Sequence, residues 1–259
     1  MLRIAFFRIY HYLWHRLRCL RQQPDTVAYS FFIHCVKPSR RKPYSFAQVA
    51  AFRQKLYQLP ESIAFTDPKT GRSQKIPLKK LARRTSSSPH FNQMLPLLAH
   101  WQQVSCALET GTSLGISALA LAQAPEMQRV VSLEGSPEIA RKARELLASV
   151  DSINIYDGLL RDAFPGLLME FQPELVFLDA DHRSSEVLFC LEQIALHAKK
   201  VKAVVIHDIY WSRDMYYGWR QIKKRYPQAT AIDMYECGVL LWPSVTKNEQ
   251  PNPVSFCWS

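Results

Sequence analysis

From Val104 onward the chain alternates short apolar runs with stretches of helical periodicity, and this alternation constrains its fold more than any other feature. The runs at 105–108, 130–133, 153–156, 175–178 and 203–206 read as strands, separated by helices at 116–123, 137–149, 163–171, 185–198 and 211–226. Strands that each hand over to a helix pair in parallel, because the helix carries the chain back to the same edge of the sheet. Ser136 followed by Pro137 marks one helix start, a capping side chain ahead of a residue with its φ already set. The runs 230–234 and 239–242 flank Cys237 and Gly238 so closely that they read as antiparallel, hairpin-like chain.

At 259 residues and 47% hydrophobic content, the chain can bury one large core, with or without a smaller appendage. Cys19, Cys35, Cys106, Cys190, Cys237 and Cys257 are scattered, with no pair at redox or zinc-ligand spacing, which fits a reducing, cytoplasmic setting. The net charge of +11 is unevenly placed: residues 1–95 hold 18 Lys and Arg against 3 Asp and Glu, a net of +15, and the remainder is acidic. Either an anionic partner or a well-solvated surface accounts for that asymmetry. In residues 1–23, Arg8, Arg16, Arg18 and Arg21 interrupt every long apolar run, so neither a signal h-region nor a membrane span is expected there. Phe6, Ile9, Leu13, Leu17 and Leu20 recur at helical spacing, so the segment reads as an amphipathic helix that packs on the protein or lies on an anionic membrane surface.

Three prolines and the basic run Arg40 to Lys42 make 24–44 read as irregular connecting chain. Helices are expected at 46–59, 79–84 and 91–102, with a turn cluster at 66–71 and a break at 86–89. The expected division is a basic, mostly helical extension at 1–95, an α/β domain at 96–243, and a loosely held tail at 244–259.

Ligands of open α/β sheets bind beyond the carboxyl ends of the strands. After the first strand come Glu109, Gly111, Thr112, Ser113, Gly115 and Ser117, where two glycines let backbone approach a ligand and amides at a helix start favour an anion. Glu134 ends the second strand, where a carboxylate can accept hydrogen bonds from both hydroxyls of a ribose. Gly158, Leu159, Leu160 and Arg161 follow the third and can border a base, or form only a turn. Asp179, Asp181 and His182 follow the fourth, and His207 and Asp208 the fifth. Two neighbouring carboxylates, Asp179 and Asp208, could share magnesium, and His182 could take a proton from a hydroxyl.

With these residues in place, 104–242 resembles the class I S-adenosylmethionine-dependent methyltransferases, nearest the catechol and caffeoyl-CoA O-methyltransferase branch and uncharacterised bacterial relatives. The motifs that carry the resemblance are 108–117, similar to E-x-G-x-x-x-G-x-S, Val131 to Glu134, and Phe177 to His182, similar to F-x-D-A-D-K. It implies an α/β, Rossmann-like methyltransferase sandwich: a seven-stranded, mostly parallel sheet with helices on both faces, here with a helical N-terminal extension. It also implies S-adenosylmethionine as cofactor, with Glu109, Gly111, Thr112, Ser113, Gly115 and Ser117 around its methionine part and Glu134 on its ribose. Gly158, Leu159, Leu160 and Arg161 would flank the adenine, and Asp179 would lie near the sulfonium. The implied reaction is methyl transfer to the hydroxyl of a small molecule, with His182 and Asp179 as the catalytic pair.

Two positions depart from the branch. Its base lysine is His182 here, and the Asn that supplies its third metal ligand is Ile209, which coordinates nothing, so a divalent cation at Asp179 and Asp208 is in question. Two other readings stay open. One is an aminopropyl transferase of the same fold, using Asp179 and Asp181. The other is a non-catalytic protein that binds RNA or membrane through its basic third, although that third holds no nucleic-acid motif. A homodimer is compatible with all of these.

Overall fold

The computed structural model describes residues 12, 26–40, 47–242 and 256–257. The helix expected over 1–23, Tyr12 apart, and most of the tail lie outside the described residues.

Helix α1 (Thr26–Phe31) passes through a wider π turn (Phe32–Val36) into α2 (Lys37–Arg40). Helix α3 (Ala47–Gln58), strands β1 (Ser62–Thr66) and β2 (Ser73–Pro77), and helices α4 (Leu78–Thr85) and α5 (Pro89–Trp101) follow. Then come β3 (Cys106–Thr110), α6 (Ile116–Leu121), β4 (Arg129–Glu134), α7 (Pro137–Leu146), β5 (Ile153–Asp157) and α8 (Leu160–Phe171). The chain continues as β6 (Leu175–Leu178), α9 (Ser184–His197), β7 (Ala203–His207), α10 (Arg213–Arg225), β8 (Thr230–Asp233), β9 (Cys237–Leu241) and β10 (Phe256–Cys257).

The main sheet has the order β10-β8-β9-β7-β6-β3-β4-β5. Strands β3 to β7 are parallel, and β9 runs antiparallel to both β7 and β8. The seven expected strands are all present, and the tail adds a two-residue eighth, β10, parallel to β8. Strand β3 lies between β4 and β6, so the winding reverses there and a crevice opens between the loops that follow β3 and β6.

The strands form where the sequence is apolar on both faces, as buried parallel strands require. Leu108, Val176 and Val204 pack against α8, α9 and α10, whereas Ala107, Phe177 and Val205 face α5 and α1. Ser88, Ser136 and Ser212 cap α5, α7 and α10, each hydroxyl accepting a backbone N–H of the first turn.

Two segments of the N-terminal third differ from the sequence reading. Residues 26–40 are helical rather than irregular, because Ala28, Phe31, Cys35 and Val36 fall on one face and bury against α5 and the sheet. Pro38 follows directly on the π turn, inside a run that is helical from Thr26 to Arg40. Residues 62–77 form an antiparallel hairpin around the expected turn. Its inward side chains, Ile63 and Ile76, join Leu56, Leu78 and Leu81 in a cluster shared with Leu114, Ile116, Leu119, Ile139 and Leu147 of the α/β region. The described part of the N-terminal third is thereby packed into the core.

Candidate active site

A cavity of about 1030 Å³ opens over the carboxyl ends of β3, β4, β6 and β7. Its walls include Gly111, Ser113, Glu134, Gly158, Leu159, Leu160, Arg161, Asp179, His182 and Asp208, the strand-end residues singled out in the sequence. Thr112 and Ser117 line a small side recess that shares Gly111, Ser113 and Asp179 with the cavity.

Gly111 is required by close approach. Its φ is +90°, and a Cβ there would come within 2.8 Å of the Asp179 backbone. The β3 loop can therefore pass directly over the end of β6, and the Asp179 N–H donates to the Thr110 carbonyl at 3.1 Å. Glu109 and Gly115, expected to touch a cofactor, do not reach the cavity wall. Glu109 is fully buried beneath the loop, where Ser132 Oγ donates to its Oε2 at 2.5 Å and Thr112 Oγ1 lies 2.6 Å from the same hydroxyl. Burial outweighs the hydrogen bonds from Ser117 and Ser132 and lifts its carboxyl to about 8, so at neutral pH it supports the loop largely as a neutral acid. Gly115 turns the chain with φ +83°, and a Cβ there would collide with Leu147 Cδ1.

Glu134 reaches the wall from the end of β4. Ser113 N–H donates to its Oε2 at 2.8 Å and Ser136 N–H to its Oε1 at 3.0 Å, which fixes the carboxylate toward the crevice. Burial raises its pKa, opposed by those backbone donors. Pro68, in the β1–β2 turn, rests on Gly135 directly behind it, and Lys69 of the same turn reaches Asp181 Oδ1 at 3.8 Å. Residues 67–69 and 84–88 thus roof a site whose floor lies far along the chain. In the sequence this roof shows only as a turn and a serine-rich break.

At β6 and β7 two histidines share a pair of carboxylates. His207 Nδ1 lies 3.0 Å from Asp179 Oδ1 and 3.6 Å from Asp208 Oδ2, and its Nε2 is 3.8 Å from Glu236 Oε1. Burial disfavours a charged ring there, but the carboxylates prevail and push it to about 10, so His207 is an imidazolium at neutral pH. His182 Nε2 stands 3.7 Å from Asp208 Oδ2 with its ring near Trp211. For His182 burial prevails over Asp179 and Asp208, and its pKa is lowered. Glu236 is held below its usual range despite burial by His207 and by Ser88, whose Oγ donates to it at 3.1 Å. The sequence reading quoted His207 without a role and did not single out Glu236, which is distant in sequence.

A divalent cation does not fit this donor set. The carboxylates of Asp179 and Asp208 bracket the His207 ring, Ile209 is fully buried, and among the described residues no three His, Cys, Asp or Glu side chains are placed to hold an ion. Asp181, the second acid of an aminopropyl reading, is engaged by Arg183 at 2.8 Å and by Lys69. Arg161 makes a two-pronged pair with Glu186 at 2.9 and 3.0 Å.

A reversed-winding parallel sheet with acids at the ends of β4 and β6 and a glycine loop after β3 defines the class I methyltransferase fold. Residues 108–209 match a family model described as a methyltransferase domain. Solved structures share the fold. A methyltransferase from Podospora anserina bound to SAH is 16% identical, with 86% of this chain and 99% of that one covered and a TM-score of 0.57. The O-methyltransferase from Bacillus cereus in complex with SAH is 19% identical, covering 82% and 96%, at 0.52. The O-methyltransferase TomG from Streptomyces achromogenes, involved in tomaymycin synthesis and bound to SAM, is 20% identical, covering 85% and 97%, at 0.52. No curated protein is similar enough to count as a match. Among the described residues, no helix is long and apolar enough to cross a membrane.

Proposed function

We propose that this chain is an S-adenosylmethionine-dependent O-methyltransferase acting on the hydroxyl of a small molecule. The observation that carries the reading is the placing of two histidines on the cavity wall: His182 stands 3.7 Å from Asp208 with its pKa lowered by burial, while His207 is held charged between Asp179 at 3.0 Å and Glu236 at 3.8 Å. Pairs of groups whose surroundings push their pKa values apart mark acid–base assignments.

Glu134 accepts the ribose hydroxyls, Gly158 to Arg161 border the adenine, and Asp179 faces the sulfonium. The bound cofactor supplies a methyl carbon whose leaving group is a neutral thioether. His182 takes the proton of the acceptor hydroxyl as its oxygen bonds to that carbon, and Asp208 at 3.7 Å stabilises the imidazolium that results. The rest of the rate comes from holding the two reactants in line. The O-methyltransferases that share the fold support oxygen as the target atom.

Calorimetry with S-adenosylmethionine and S-adenosylhomocysteine on wild type and Glu134→Ala tests the assignment. Wild type is expected to bind both and the variant to bind at least tenfold more weakly, the loss of a hydrogen bond to a charged group. A wild type that binds neither removes the cofactor, and an unchanged variant removes the ribose role of Glu134.

A further inference from the structure

Asn92, on α5, is 3% exposed, and neither its Oδ1 nor its Nδ2 has a hydrogen-bond partner. A buried amide is nearly always paired, so one unpartnered at both ends is prepared for something that arrives. Its side chain lines the recess beside the cavity, together with Ser87 from the roof, Ser117 from α6, and Gly111, Ser113 and Asp179 from the strand ends. The recess has room for about 20 Å³ and is continuous with the cavity through Gly111, Ser113 and Asp179, so it suits the tip of a polar group reaching in from the cavity rather than a ring. It lies on the β3-loop side of Asp179, whereas Glu134 and Gly158, assigned to ribose and adenine, line only the main cavity.

We propose that Asn92 holds the amino-acid end of the bound cofactor, its Nδ2 donating to the carboxylate and its Oδ1 accepting from the ammonium. This rests on the S-adenosylmethionine reading above. An amide suits a zwitterion because one planar group presents a donor and an acceptor side by side. Asp179, at the shared mouth of recess and cavity, adds a carboxylate for the ammonium, and Ser87 adds a hydroxyl for the carboxylate. The role also explains why α5 must be in place for the site to be complete, since Ser88 caps this helix and ties the roof to Glu236.

The test compares S-adenosylhomocysteine with 5′-methylthioadenosine, which keeps the adenosine and the thioether but lacks the amino-acid end. Calorimetry on the full chain reads the ratio of the two affinities in wild type, Asn92→Leu and Asn92→Ala. Wild type is expected to prefer S-adenosylhomocysteine. The variants are expected to weaken it about 10- to 100-fold and to leave 5′-methylthioadenosine within about twofold. Equal losses for both ligands, or no loss for either, would overturn the proposal and leave Asn92 as a structural side chain or the holder of a buried water. Should neither variant fold, the side-chain ¹⁵N–¹H resonances of Asn92 in wild type decide: they move with S-adenosylhomocysteine and not with 5′-methylthioadenosine, or the proposal fails. A wild type that binds neither ligand defeats the cofactor reading itself, a result distinct from a lost preference.

Discussion

His182 and His207 stand 3.7 and 3.6 Å from the same Asp208 carboxylate oxygen, yet one is neutral and the other charged at pH 7. The difference follows from how closely the acids approach each ring: His207 meets Asp179 at 3.0 Å and Glu236 at 3.8 Å, whereas His182 makes no such contact with Asp179 and is opposed by Lys69 and by His207 itself. Replacing His182 by Ala is expected to lower turnover at least 100-fold, the range of general-base catalysis. Its affinity for S-adenosylhomocysteine should stay within about threefold, as calorimetry would show. In wild type, kcat/KM should rise with pH through an apparent pKa below 6.5, because the base must be unprotonated and burial lowers its pKa. Stability should move the other way. His207 is raised to about 10, so its contribution is complete below about pH 6.5 and is lost as pH climbs toward 10; Glu109, raised from 4.5 to about 8, loses its contribution as pH rises through 8. Thermal midpoints should therefore fall between pH 6 and 9.5, and fall less in Glu109→Gln, which cannot ionise. The strand-end acids were legible in the sequence because topology places them, but the protonation of the histidines was not, because it depends on which carboxylates two separate strands bring together.

Among the elements, the parallel strands were readable from sequence and the hairpin was not. Strands buried on both faces leave unbroken runs such as 175–178, whereas β1 and β2 bury little more than Ile63 and Ile76 among polar neighbours. The helical stretch 26–40 was hidden in the same way, its buried Ala28, Phe31, Cys35 and Val36 interrupted by other residues and followed by Pro38. The loop after β3 depends on one missing side chain. Gly111→Ala would place a Cβ 2.8 Å from the Asp179 backbone at a φ of +90°, so about 1–3 kcal/mol of stability should be lost, with cofactor binding reduced more than the midpoint suggests. Denaturant titration and calorimetry on the same preparation separate those two effects. The loops after β6 and β7 carry a prediction of their own. Because Asp179 and Asp208 bracket an imidazolium, turnover should survive EDTA at full rate, and restoration by magnesium after chelation would contradict that arrangement.

For the molecule as a whole, the sequence division at residue 95 describes charge rather than packing. Five large side chains of the α/β region, Leu114, Ile116, Leu119, Ile139 and Leu147, share a cluster with Leu56, Leu78 and Leu81 from before that point. At roughly 1.5–3 kcal/mol for each side chain bared, a fragment beginning at residue 96 loses about as much as a domain's entire stability. It should show no cooperative thermal transition by circular dichroism, although it contains the whole segment matched by the family model. The seat of the hairpin on Gly135 has a practical side. A Cβ at that position would lie 2.8 Å from Pro68 Cγ, so the hairpin turn docks on a spot kept bare for it. An engineer could treat residues 60–77 as an interchangeable cassette and exchange it between related catalysts to alter what enters the crevice. The graft would take only in recipients that keep a glycine at the landing place.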